Sequence, residues 1–293
     1  MPLGDQQEND LVHITLDVWQ DKVYYLGKEY PAGYFAAGVL NVSHNLFVTI
    51  TGEGGFLLDA YAVAKFGDRE QLEELLPVLW ESVENMLRSL RQVPPFSLWS
   101  METELGKMKA MLSKDHIDQL LDNPEEKMWF LAYLRAGILL PISIYHFVIA
   151  AWHLETYYLH RVGKRDETHF AVAFHDFYHD PSTKEVLEKM FAPTIEPFDA
   201  NPRLRSSYTF ARDPKDEKKM IFVNRVFFSS YMDFYVYDLL NGMHWGHAPS
   251  LCECCLKYFL TTDSHKPKYC DGMAPQNPHY TCRQYGADRK SVV

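Results

Sequence analysis

DREQLEELLPVLWESVENMLRSLRQV, residues 68–93, places apolar side chains at Leu72, Leu75, Leu76, Leu79, Val83, Met86 and Leu87, in steps of three and four. That spacing lays one apolar stripe along an α-helix, because a turn takes 3.6 residues. Pro77 either kinks this helix or marks a new start, since proline has no amide hydrogen for its turn. Pro94 and Pro95 close the helix, and Ser100 caps the next one, SMETELGKMKAML, with Glu102 and Glu104 in its first turn. A helical period runs from about residue 56 to about residue 191. GEGG at 52–55 reads as a turn.

Upstream, VHITLDV at 12–18 alternates strictly, with Val12, Ile14, Leu16 and Val18 on one face and His13, Thr15 and Asp17 on the other. This is the pattern of a half-buried strand. KVYYL at 22–26 supplies a partner, so an N-terminal β-hairpin is expected, ended by the turn at Pro31 to Gly33. The first ten residues, MPLGDQQEND, read as a disordered tail.

Downstream, residues 193–219 hold four prolines and the charged run DPKDEKK, and read as a loop or hairpin linker. They separate a mainly helical domain at 11–192 from a strand, helix and cysteine module at 220–287. MIFVNRVFF is the strand, and SSYMDFYVYDLLNGM the helix, with Ser229 or Ser230 as cap and Gly242 just past its end. The terminal DRKSVV, 288–293, resembles an in-frame sequencing adapter, which would put a break in the natural chain after about Ala287. The expected class is α+β and mainly α: an N-terminal β-hairpin, a helical bundle-like core and a small C-terminal zinc-ribbon-like module.

Composition narrows the function. With 293 residues, 47% hydrophobic and 14% aromatic, the chain has the material for a sizeable core. A formal charge of −10 argues against coating duplex nucleic acid by phosphate neutralisation. No basic start, apolar run and cleavage site appear in order, so a cytoplasmic location is expected. AGILLPISIYHFVIAAWHL, 136–154, carries no charged residue, yet Pro141, Ser143, His146 and His153 each add a cost in hydrocarbon. A buried central helix is therefore expected, not a membrane span. No Walker loop, dinucleotide fingerprint, nucleophile elbow or kinase motif set is present.

All five cysteines fall between 252 and 282, a distribution suited to a metal site and not to a disulfide framework. Cys252 and Cys255 form a CxxC pair, and Cys270 and Cys282 return to it from further along. Zinc accepts four thiolates tetrahedrally, so the four are read as ligands of one structural zinc ion. Alternatives are a site in which His265 or His279 replaces one cysteine, unligated thiols in a small core, and redox chemistry at Cys252 or Cys255. Cys254 lies inside the knuckle with its side chain expected to point away from the metal. A segment of about forty residues has little apolar surface, so the ion would contribute directly to folding.

Through LCECCLKYFL, HKPKYCDG and YTCRQYGA the chain resembles a bacterial family of unknown function, domain of unknown function 6076. The similarity extends more loosely to ITLDVW and GKEYPAGYFAAGVLN near the N-terminus. The module is also similar to CGNR-type zinc fingers, which end largely helical proteins of suspected regulatory role, although Cys282-Arg283 stands here in place of that tetrad. The resemblance implies a zinc module and leaves the activity open.

Two histidine patterns stand beside it. His146, His153 and His160 recur every seven residues, about 10 Å apart along a helix, too far for one ion and suited to a polar packing seam. His175 and His179 in HDFYHD share a helical face beside Asp176 and Asp180, a candidate metal or catalytic pair, but lack the glutamate of HExxH. A closed four-thiolate shell leaves no position for substrate. An interaction or regulatory protein is therefore the expectation, with an enzyme sited near His175 and His179 as the alternative. From 252 to 293 six Lys and Arg face four acids, a balance of +2 that leaves −12 on the rest, so a protein partner suits the charge at least as well as nucleic acid.

Overall fold

The computed structural model describes residues 9–190, 201–213, 215–265 and 267–290. Five strands form one antiparallel sheet: β1 (Ile14–Trp19), β2 (Lys22–Tyr25), β3 (Lys28–Pro31), β4 (Arg205–Asp213) and β5 (Asp216–Phe228), in the order β3-β2-β1-β5-β4. The expected hairpin is thus β1 and β2 of a larger sheet. The third strand comes after a two-residue turn, Leu26 (φ 48°) and Gly27 (φ 73°), whose left-handed pair matches the twist of the strands it joins. Leu26 gives that turn no sequence signal, because asparagine or aspartate usually occupies such a position.

β1 is buried on both faces and not half-buried as its alternation suggests: Thr15 and Asp17 are as enclosed as Ile14 and Leu16. Asp17 is held by Arg225 of β5 in a two-pronged pair, Nε to Oδ1 at 2.7 Å and Nη2 to Oδ2 at 2.9 Å. Of the expected disordered tail, residues 1–8 lie outside the described residues. Asn9 and Asp10 instead bond to the start of the sheet, the Asp10 carboxylate accepting from the amides of Val12 and His13 and the Asn9 carbonyl from that of Thr15.

Residues 193–200 of the expected linker also lie outside the described residues. Its remainder leads into a long hairpin, β4 and β5, with Lys215 between the two strands. β5 pairs with β1 from Ile14 opposite Phe228 to Val18 opposite Asn224, so segments some 200 residues apart share one sheet. One continuous core runs from Leu11 to Ala248 and takes in both sides of this segment.

Helices account for 57% of the chain. α1 (Tyr34–Val39) is short, and α2 (His44–Phe66) begins after Ser43, whose hydroxyl accepts from the Leu46 amide. GEGG at 52–55 is therefore mid-helix and not a turn, and helix begins at His44, not near 56. A Cβ built at Gly52, Gly54 or Gly55 meets nothing within 4 Å, so no close approach demands glycine there. Packing of α2 against α3 (Arg69–Leu90) and α6 (Pro124–Tyr157) overrides the weak local propensity. Asp68 caps α3, which continues through Pro77. α4 (Met101–Met111) and α5 (Lys114–Asp122) lead into α6, whose first turn Asn123 caps.

Among the described residues, two helices are long and apolar enough to cross a membrane. In α6 and its extension 67% of the most apolar window is buried, as expected of a central helix, and in α2 39% is. α7 (Glu167–His179) and α8 (Pro181–Met190) complete this layer. α9 (Tyr231–His244) starts after Ser230 as expected, but Gly242 sits within its last turn, and the left-handed residue is Gly246 (φ 80°).

Gly242 is glycine for another reason: a Cβ there would lie 2.9 Å from Gly33 Cα and 3.0 Å from Ala32 O. The close crossing of α9 with the start of α1 is fixed by the fully buried Asp238, whose carboxylate accepts from the amides of Gly33 at 3.0 Å and Ala36 at 2.9 Å. Burial raises its pKa to about 6 in spite of those hydrogen bonds. α1 and α9 together form the platform for the cysteine module.

Candidate metal centre

The module starts with a two-stranded ribbon, β6 (Ala248–Leu251) and β7 (Tyr258–Thr261), packed on α1 and α9. Asn41, just past α1, clasps β7 with both ends of its amide, donating to Tyr258 O at 2.8 Å and accepting from Tyr258 N at 2.7 Å. On the other side the buried Arg165 donates its backbone amide to Ser264 O at 3.0 Å, and its guanidinium donates to Ala248 O and to the Thr261 hydroxyl. The cysteine knuckle is thus mounted on the helical body through both strands.

Between β6 and β7 the chain makes a tight turn. Cys252 N donates to Lys257 O, and Leu256 N to Cys252 O, each at 3.0 Å. The turn requires a left-handed residue, and Leu256 fills it at φ 57° with its side chain 71% exposed. The irregular segment that returns with Cys270 is tied to the knuckle by Glu253 N to Lys268 O at 2.9 Å, and Cys270 N points at Cys252 Sγ at 3.4 Å. A second small ribbon, β8 (Met273–Ala274) and β9 (Asn277–Thr281), carries the chain to α10 (Cys282–Lys290), of which Cys282 is the first residue. Cys282 N donates to Gly272 O at 2.7 Å, locking the fourth cysteine to the third.

The Sγ atoms of Cys252, Cys255, Cys270 and Cys282 all lie within 4.8 Å of one another, and those of Cys255 and Cys270 are 3.7 Å apart. An ion bound tetrahedrally about 2.3 Å from each sulfur sets the sulfurs about 3.8 Å apart. The donor set therefore fits one metal ion in both chemistry and spacing. His265 bonds to Ser264 and His279 is exposed on β9, and neither belongs to the group. Cys254 is outside this group of four, its sulfur 3.4 Å from Gln276 Oε1, but it packs against the cluster and neighbours Cys282 instead of pointing away as expected.

Electrostatics point the same way. Burial alone would raise the Cys252 thiol, but amide donors at Cys255, Cys270 and Cys254 bring it down to about 7. Burial and the neighbouring sulfurs push Cys270 up to about 11, and Cys282 higher still. Four thiols in one small space resist ionising together unless a cation sits among them. With four protein ligands such a shell is closed, so the centre can hold an ion and stiffen the module but offers no place for substrate.

The histidine patterns do not assemble a site. His146 is buried in α6, where desolvation lowers its pKa to about 4, and His153 contacts the Thr183 hydroxyl at 3.0 Å. His160 lies beyond α6, exposed in a short turn, so the expected seven-residue seam ends after two members. His175 and His179 stack with ring centroids 4.3 Å apart on the exposed face of α7, where His179 Nδ1 donates to the carbonyl of His175 at 2.8 Å. Asp180 accepts from the Ser182 amide and the Tyr158 hydroxyl, which makes it the cap of α8.

The supporting residues Asn41, Arg165 and Leu256 carry no sequence signal for this site; their roles come from contacts across the fold or from backbone conformation. A family model described as a family of unknown function (DUF6076) matches residues 199–292. The match takes in the β4–β5 hairpin, α9 and the whole cysteine module, and does not reach ITLDVW or GKEYPAGYFAAGVLN, where a looser similarity was expected. No curated protein and no solved structure matches the chain.

Proposed function

We propose that this is a bacterial, cytoplasmic interaction protein in which one structural zinc ion on Cys252, Cys255, Cys270 and Cys282 holds the C-terminal module in the form that docks on a partner protein. The observation that carries this reading is the closure of four soft donors within 4.8 Å of one another. Zinc suits a purely structural role because it is redox-inert and takes tetrahedral thiolate shells without strain. Five free cysteines and no disulfide among the described residues fit a reducing compartment.

A protein partner is favoured over nucleic acid by what surrounds the centre. Leu251, Leu256, Met273 and Tyr280 are exposed large apolar side chains on the module. Two of its basic side chains are paired, Lys268 with Glu253 at 3.3 Å and Arg283 with Asp271 at 3.2 Å, and the small positive balance of the module gives phosphates little to hold.

Elemental analysis of the purified full chain, followed by titration with random duplex DNA at two salt concentrations, tests both parts. One zinc per chain with absent or salt-insensitive DNA binding is the expected result. A chain that purifies without metal and keeps its module folded in chelator overturns the zinc centre. Binding that weakens steeply with salt reassigns the partner to nucleic acid.

A further inference from the structure

β4 closes one end of the five-stranded sheet and, among the described residues, is hydrogen-bonded to β5 alone. On β5 the residues Phe228 and Val226 point into the core, and the same face continues two residues at a time to Phe222 and Met220. There the core has ended: Phe222 is 78% exposed and Met220 56%. Beside them on β4, Tyr208 is 82% and Phe210 67% exposed, with Phe210 directly opposite Phe222. Three rings and a methionine left this open present roughly 500 Å² of apolar surface at 150–250 Å² per aromatic side chain, the size at which a patch on a monomer marks an interaction site.

A free strand edge beside an apolar face is a template for another strand. The sequence of β4 complements itself. If two copies lie antiparallel about a two-fold axis through Thr209, Arg205 of each stands opposite Asp213 of the other, at both ends of the pairing. In the same register Tyr208 faces Phe210 of the second copy, twice, on the bare apolar face. Ser207 meets Ala211 and Ser206 meets Arg212, so no like charges oppose each other. We propose that the occupant of this edge is a second copy of the chain, joined β4 to β4 into a continuous ten-stranded sheet with one cysteine module on each copy.

The apolar area, with a nine-residue backbone edge and two ion pairs, falls below the roughly 800 Å² per partner of a standard stable interface, so the dimer is expected to form through the micromolar range. Its existence does not depend on the metal reading.

Sedimentation of the zinc-loaded full chain over that range should give a mass rising from 34.1 kDa to twice that value. Arg205→Asp or Asp213→Arg alone sets like charges face to face at both ends, and should weaken the dimer by more than about tenfold. Mixing these two variants restores both ion pairs in the mixed pair, and should return the mass to that of the wild-type dimer. If either variant loses its circular dichroism signal, Tyr208→Lys replaces it, since that mostly exposed side chain can change without disturbing the core, and it should leave the chain monomeric. A wild-type chain that stays at the mass of one copy overturns the proposal. So does a dimer that ignores all these substitutions.

Discussion

Tyr269 lies so close over Gly286 that a Cβ built on the glycine would overlap the ring. The contact ties the residue before Cys270 to the second turn of α10, the helix that begins at Cys282. Gly286→Ala must therefore displace the ring or the helix. A loss of about 1–3 kcal/mol is expected, as for other overpacked positions, together with weaker metal retention. Thermal unfolding and competition with a chromogenic chelator read the two effects, and an unchanged melting curve would show that the ring moves aside freely.

The fifth cysteine provides an internal control. Cys254→Ser should keep one metal per chain, because its sulfur is not among the four that close within 4.8 Å of one another and is itself 3.4 Å from Gln276 Oε1. Cys282→Ser should lose most of the bound metal and expose the module to proteolysis. Equal metal content in both variants would mean that Cys282 is no ligand.

Asp17 and Arg225 test how the two ends of the chain are joined. Asp17→Ala leaves the guanidinium inside the sheet without its counter-charge, and removing one partner of such a pair costs about 3–5 kcal/mol. Adding Arg225→Met to Asp17→Ala should recover most of the loss, since an apolar side chain has no charge to desolvate. Denaturant unfolding of the two variants measures the difference, and equal destabilisation would show that Arg225 finds another partner.

His146 gives the fold a slope with pH. Burial lowers its pKa from 6.5 to about 4, so between these values the unfolded chain binds a proton that the folded chain refuses. The stabilisation is fully present above pH 6.5 and is lost as pH falls toward 4. At 1.36 kcal/mol per pH unit this amounts to about 3 kcal/mol at most. His146→Leu should flatten the stability profile across that window, and an unaltered slope would place the titration elsewhere.

Much of this molecule is written locally. The leucine period of residues 68–93, the cap at Asp68, and the spacing of the four cysteines each act within a few residues or through a chemistry that only soft, clustered donors supply. The pairing of Ile14 with Phe228 is not local in that sense. Strand alternation tells which side chains share a face but not which distant strand lies alongside, so β1 reads as half-buried until β5 brings Arg225 to Asp17. The glycines of α2 likewise read as a turn, because local propensity is weak beside the burial gained against α3 and α6. Local sequence determined the apolar stripe of α3 and the identity of the four sulfurs. Tertiary contact decided that Asn41, Arg165 and the α1–α9 crossing hold those sulfurs in place, since such contacts leave no period in the chain.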